Sequence, residues 1–222
     1  MDIKILYEDK NYILAEKPPG MPSQADKTGD DDLFTILSEE KGIKDLKIIN
    51  RPDRPVGGII IFAKNQKSAA FCSKLVQSSD INKVYTAVIC GVPEKNEGTF
   101  EDMLIKDSRT NTSKVAVKGD KNAKKAILYY NVLKTVESEE FGKLSLVEIK
   151  LETGRHHQIR VQFASKNLPL WGDGKYNSAF QKGRRNFNIA LWSSNTSFYD
   201  ELSKKTIEAE SKPQGDIFNI FI

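Results

Sequence analysis

The sequence predicts an α+β fold: a mixed, largely antiparallel central sheet flanked by helices. Three observations carry that expectation. The stretch from 83 to 151 is mainly strand-like, and within it Val147, Ile149 and Leu151 alternate with Glu148, Lys150 and Glu152, the period of a half-exposed strand. Strand-like segments follow one another more often than they alternate with helical ones, which favours α+β over a doubly wound sheet. A continuous apolar run at 58–63, GIIIFA, suits a central strand buried on both faces.

The elements follow in order. Residues 3–8 and 11–16 read as two short strands around a turn at Glu8–Asn11. The proline-rich segment 17–24, KPPGMPSQ, is a rigid loop. Residues 31–42 begin with acids and end at Gly42, as a short capped helix does. After the 58–63 strand, Asn65 can cap a helix over 66–79, with Phe71, Leu75 and the Cys72–Val76 pair at helical spacing. Strand-like segments follow at 83–91, 99–107, 125–137 and 144–154. A helix is expected to begin near Arg155, with further strands near 188–192 and 217–222. No internal repeat or Gly/Ser/Pro-rich linker divides the 222 residues, so a single domain is expected.

The composition is that of an ordinary globular chain, 39% hydrophobic and 29% charged. No apolar run approaches the ~20 residues of a membrane span, and the N-terminus lacks the apolar core of a secretory signal. Cys72 and Cys90 lack CxxC spacing and are expected as reduced, buried thiols of a cytoplasmic protein. His156 and His157 are the only histidines. As neighbours on a helix they would point apart and could not share one metal ion, so no metal is expected. The net charge of +4 does not by itself argue for nucleic acid, but basic residues gather at 114–125 and 181–187 and acids at 26–32. Such runs fit either solvated loops or patches facing a polyanion.

The chemistry concentrates in NRPDRPVGGIIIFAK, residues 50–64. Arg51 and Arg54 each precede a proline, which pushes them out of the helical region. An extended segment would then put Arg51 and Asp53 on one side and Arg54 on the other. Gly57 and Gly58 admit close approach by a ligand or another backbone. By composition alone the segment is either a salt-bridged surface turn or a site. Two further stretches bear on that choice. Tyr85 sits in the strand KVYTAVICG (83–91), beside core-like Val84, Ala87, Val88 and Ile89. In TGRHHQIRVQFAS (153–165), His156 and Arg160 lie four apart on the expected helix and would share a face, while Ile159 and Phe163 turn inward. A basic Arg155 in a first turn opposes the helix dipole and calls for a phosphate or carboxylate.

Together these stretches resemble the RluA-type family of RNA pseudouridine synthases. The resemblance lies in order and spacing: Arg-x-Asp-Arg before an apolar strand ending FAK, Lys-x-Tyr in a strand, TGR-x-HQIR, then LPLWGDGKY at 168–176. It runs from about residue 3 to about residue 200 and implies the pseudouridine synthase fold with an RNA-binding cleft. It also implies one catalytic domain over 1–222 without a separate S4-type RNA-binding domain. By the same resemblance Asp53 is the catalytic aspartate and Tyr85 the tyrosine lying against the target base. Arg160 is the buried arginine paired with the catalytic carboxylate, and Arg51 helps displace the base. Arg54, Lys83, Arg155 and His156 are expected to contact RNA. Asn50 stands where the family usually has His, Pro52 where it has Leu, Val56-Gly57 where Thr-Ser is common, and Leu168 where His precedes proline.

The implied reaction moves uracil from an N1–C1′ to a C5–C1′ bond, with rRNA or tRNA as partner. It consumes no electrons and no external energy, so neither a nucleotide nor another cofactor is expected. Extruding a stacked base costs a few kcal/mol, which stacking on an aromatic ring, worth roughly 1–3 kcal/mol, offsets. A free aspartate titrates near ~4 and is ionised at neutral pH. A charge-assisted arginine would aim it. The lack of a second acid argues against a paired-carboxylate glycosidase. The alternative is a non-catalytic RNA-binding or RNA-remodelling protein that keeps the cleft. A polar-looped globular protein without an RNA role is a third reading.

Overall fold

A computed structural model describes residues 3–181 and 187–222. The basic 181–185 loop, considered as an RNA contact, lies outside the described residues except for Gln181. The chain divides into two compact units, Met1–Lys83 with Trp192–Pro213, and Val84–Leu191 with Gln214–Ile222.

In the first unit the N-terminal hairpin joins β1 (Ile5–Glu8) to β2 (Tyr12–Lys17). Asp9 closes its turn by accepting from the Asn11 and Tyr12 amides at 2.8 Å. Helix α1 (Leu33–Lys41) is capped by Asp32, which accepts from Thr35 N, and stops at left-handed Gly42. A short β3 (Lys47–Ile48) precedes β4 (Gly57–Ala63), and Asn65 caps α2 (Gln66–Ser78). The hairpin of β10 (Leu191–Asp200) and β11 (Lys205–Glu210) completes the sheet. Its order is β1-β2-β4-β10-β11, antiparallel except for the β4–β10 pair, with β3 antiparallel to the far end of β4.

β4 is buried along its whole length, as the apolar run predicts. Ile59, Ile61 and Ala63 face one core with Tyr12, Leu14 and Cys72, and Ile60 and Phe62 face another with Leu33 and Leu37. A period-two strand between two helices must be apolar at every position, because each buried Ile or Leu contributes about 1.5–3 kcal/mol. α2 departs from expectation in one respect: it buries Ser68 with Cys72, whereas Val76 is 44% exposed. The Ser68 hydroxyl donates to Asn11 O at 3.0 Å, which lets a small polar residue sit at the seam.

The Gly57-Gly58 pair admits a neighbouring strand. A Cβ at Gly57 would lie 2.2 Å from the Trp192 ring, and one at Gly58 would lie 2.3 Å from Ser193 O. Gly58 also has φ +100°, a region that costs other residues dearly. Gly58→Ala is therefore expected to destabilise the protein by about 3 kcal/mol or more, measured by denaturant unfolding.

The second unit carries an antiparallel sheet in the order β5-β9-β8-β6-β7. Its strands are β5 (Asn82–Cys90), β6 (Glu97–Asp107), β7 (Thr112–Val115), β8 (Lys124–Ser138) and β9 (Gly142–Leu151). Helix α3 (Gln158–Ser165) packs on it through Val161 against Leu104 and Ala126. Phe163 meets Phe100 and Tyr130 edge-on, with ring centroids 5.0 and 5.8 Å away. The expected strand at 217–222 is not formed. Residues Asp216–Asn219 make a short helix, α4, because Gly215 turns the chain and Asp216 suits a helix start, while Phe218 and Phe221, three apart, are both buried. The sequence reading also omitted β3, β7 and β11. Among the described residues no helix is long and apolar enough to cross a membrane.

Candidate active site

Arg51, Asp53 and Arg54 lie in the eight-residue connection from β3 to β4. These two strands run antiparallel, so the chain must reverse between them. The segment expected as mostly extended is accordingly closed by a turn, with Val56 N donating to Asp53 O at 2.9 Å. Asn50, where the resembled family has His, folds onto β4. It accepts from Ile61 N at 2.6 Å and donates to Ile59 O at 3.4 Å.

The loop after β2 fastens both sides of Asp53. Ser23 Oγ donates to Pro52 O at 2.9 Å, and Gly20 N donates to Arg54 O at 2.9 Å. Lys17 Nζ donates to Arg54 O at 3.0 Å, Met21 O at 2.9 Å and Pro18 O at 3.1 Å. Lys17 is fully buried (0% exposed). Burial pushes its amine down to about 7, the Asp53 carboxylate pulls it up, and Arg54 adds to the lowering.

The folded value lies below the unfolded one, so stability rises with pH from about 7 towards 10.5 and is lost as pH falls through about 7. Denaturant unfolding of the wild type is expected to show this rise, up to about 1.4 kcal/mol per pH unit, and Lys17→Met to lack it.

Arg51 is exposed. Arg54, expected as an RNA contact, engages its own chain: Nε donates to Gly20 O at 2.9 Å and Nη1 to Thr28 Oγ1 at 3.0 Å, and Nη2 pairs with Asp30. Asp26 stands 3.7 Å away. Arg54 thus draws the acidic 26–32 loop onto the Asp53 turn. Thr28 hydrogen bonds, with Arg54 a smaller contributor, lower the Asp26 carboxyl, and Arg54 lowers that of Asp30.

In the second unit Tyr85 sits half-buried on β5, opposite Ile149 of β9, and Lys83 precedes it on the same strand. The helix expected near Arg155 begins only at Gln158. The Gln158 side chain reaches back, accepting from Arg155 N at 2.9 Å and Thr153 Oγ1 at 2.8 Å, and satisfies the preceding loop without helix. Arg155 therefore does not oppose the helix dipole from a first turn. Its Nε donates to Lys125 O at 2.8 Å.

His156 and Arg160 do not share a helix face, since His156 lies before the helix. His157 is left-handed (φ 54°), and the two imidazoles stack with centroids 3.8 Å apart instead of pointing away from each other. His156 Nδ1 is 2.8 Å from Ser113 Oγ, and His157 Nδ1 is 2.8 Å from Tyr176 Oη. Among the described residues no group of three or more His, Cys, Asp or Glu could hold a metal ion.

Arg160 is buried in α3 and meets Asp173 edge to edge. Nε is 2.8 Å from Oδ2 and Nη2 is 2.7 Å from Oδ1. Asp173 also accepts from the Lys175 and Tyr176 amides, at 2.9 and 3.3 Å. The Tyr176 ring lies 5.2 Å from the guanidinium carbon. The 168–176 stretch therefore wraps the arginine. Asp173, Tyr176, Ser23 and Lys17 were absent from the sequence-derived site. The available signals were a carboxylate between two glycines and a Glu-Lys pair ending an apolar run, neither distinctive alone.

Residues 11–165 match the family described as RNA pseudouridylate synthase. The chain is 33% identical over 184 residues to the uncharacterized RNA pseudouridine synthase YlyB of Bacillus subtilis, covering 79% of this chain and 58% of that protein. It is also 33% identical over 184 residues to ribosomal large subunit pseudouridine synthase D of Borreliella burgdorferi, covering 78% and 54%. The chain thus spans little more than half the length of these relatives. In fold it is similar to human RNA Pseudouridylate Synthase Domain Containing 1, with TM-score 0.81 and 19% identity over 95% of this chain and 83% of that one. The chain belongs to the RNA pseudouridine synthase family, and its fold is the pseudouridine synthase fold.

Proposed function

We propose that the protein isomerises uridine to pseudouridine in structured RNA, rRNA or tRNA, in the cytoplasm, with both units acting as one catalytic domain. Asp53 supplies the carboxylate at C1′ of an extruded nucleotide, Tyr85 lies against the base and Arg160 aims the carboxylate. The N1–C1′ bond breaks, the C5–C1′ bond forms, and the C5 hydrogen leaves to solvent as N1 takes a proton. The balance is a pure isomerisation that needs no cofactor. Arg51 helps displace the base. Lys83, Arg155 and His156 contact RNA, as does Arg54 by exchanging its acidic partners for phosphate.

Besides family membership, the observation that supports this reading is the fastening of Asp53. Its neighbouring carbonyls are held by Ser23 on one side and by Lys17 and Gly20 on the other, the preorganisation a reacting group requires. The test is tritium release from 5-tritiated uridine in rRNA and tRNA transcripts. Release in step with pseudouridine formation is expected. Salt-sensitive RNA binding without release would instead favour a non-catalytic RNA-binding protein.

A further inference from the structure

Arg54 follows Asp53 directly, yet the outer end of its guanidinium is taken up by one acidic loop of its own chain. Asp30 pairs with Nη2, Asp26 stands 3.7 Å from Nη1, and Thr28 Oγ1 accepts from Nη1 at 3.0 Å. The loop has a turn of its own, in which Asp26 Oδ1 accepts from the Thr28 amide at 2.9 Å and from the Thr28 hydroxyl. Two carboxylates and a hydroxyl thus present oxygens to the fork that a phosphate would otherwise fill.

The contact is built to open. The Arg54 and Asp26 side chains are 40% exposed and that of Asp30 53%, and ion pairs this wet hold little stability and are screened by salt. Arg54 keeps its place without the acids, because Nε donates to Gly20 O and its carbonyl accepts from Gly20 N and Lys17 Nζ. The Nη groups are the exchangeable end. For an approaching polyanion, however, carboxylates at this turn are a repulsive element.

We propose that the 26–30 loop is an acidic strap: it occupies the Nη groups of Arg54 in the place of an RNA phosphate, and RNA binding releases it. This rests on the reading of the Asp53 turn as part of the RNA site. The strap selects against RNA that approaches the turn without delivering a phosphate to Arg54.

Filter binding with tRNA transcripts tests the exchange. Asp30→Asn is expected to tighten binding about threefold to fivefold. Asp31→Asn removes the same charge from an exposed neighbour outside the Arg54 contact and is expected to gain clearly less. In an Arg54→Gln background the two substitutions are expected to gain equally. Equal gains in the wild-type background would report net charge alone and overturn the proposal. A second measurement needs no RNA. Trypsin cleavage after Lys27, read from fragment masses, is expected to quicken about threefold or more in Asp30→Asn and in Arg54→Gln. Unchanged cleavage in both means that Arg54 does not hold the loop, and the strap falls. Transcripts bound by no variant would overturn the RNA reading and the strap's role together. Binding in the expected order without tritium release would count against the synthase reading and support the strap.

Discussion

Asp53→Asn is expected to lower pseudouridine formation on the order of 10³-fold or more, while RNA affinity stays within about threefold. The amide has nearly the shape of the carboxylate but can neither attack C1′ nor take a sugar proton. The bonds that fasten residues 50–56 run through the Pro52, Asp53 and Arg54 carbonyls and the Asn50 and Arg54 side chains. Those backbone and side-chain bonds are all kept in the variant. In protein–nucleic acid complexes phosphate contacts supply much of the affinity, and the substitution adds or removes none of the proposed ones. Nucleoside analysis of digested RNA together with filter binding separates the two effects. Full activity in Asp53→Asn would remove Asp53 from the reaction.

Asp173→Ala is expected to destabilise the protein by about 3–5 kcal/mol, because it takes a bidentate carboxylate from a buried guanidinium. The Asp173 side chain is 0% exposed and that of Arg160 5%. The alanine also leaves the Lys175 and Tyr176 amides without their acceptor. Asp173→Asn keeps the volume and one acceptor oxygen, so it is expected to lose markedly less. Denaturant midpoints of the two variants measure the difference. Equal midpoints for wild type and Asp173→Ala would show that Arg160 does not depend on this partner.

Much of the fold was legible because its signals are local. Asp32, Gly42 and Asn65 cap where their chemistry says they should, and β4 and β9 show the burial their patterns imply. What was misread depends on partners distant in sequence or on competing local bonds. β3 and β7 are too short to have a period of their own and exist by pairing with β4 and β6. The start of α3 moved because the Gln158 side chain satisfies the Thr153–Arg155 loop, which no helix propensity records. Gly57 and Gly58 did announce a close approach, and it came from Trp192 and Ser193, more than 130 residues later.

The candidate site divides in the same way. Asp53, Tyr85 and Arg160, the proposed site residues, were named from motif spacing and their resemblance to a family pattern. The residues that hold them were not named, since Lys17 and Asp173 matter only through contacts made in three dimensions. Pro52 stands where the resembled family has Leu, and its carbonyl still finds Ser23. Asn50 replaces a usual His and still ties the segment to β4. The departures in this segment thus fall on residues that are themselves fastened.

The most direct test of the account is a crystal structure of Asp53→Asn bound to an RNA substrate. One uridine is expected outside the stack, its C1′ about 3–4 Å from the residue 53 side chain, its base against Tyr85 and Arg160 beside residue 53. A uridine still stacked in its helix, or extruded into a place apart from these three side chains, would contradict it.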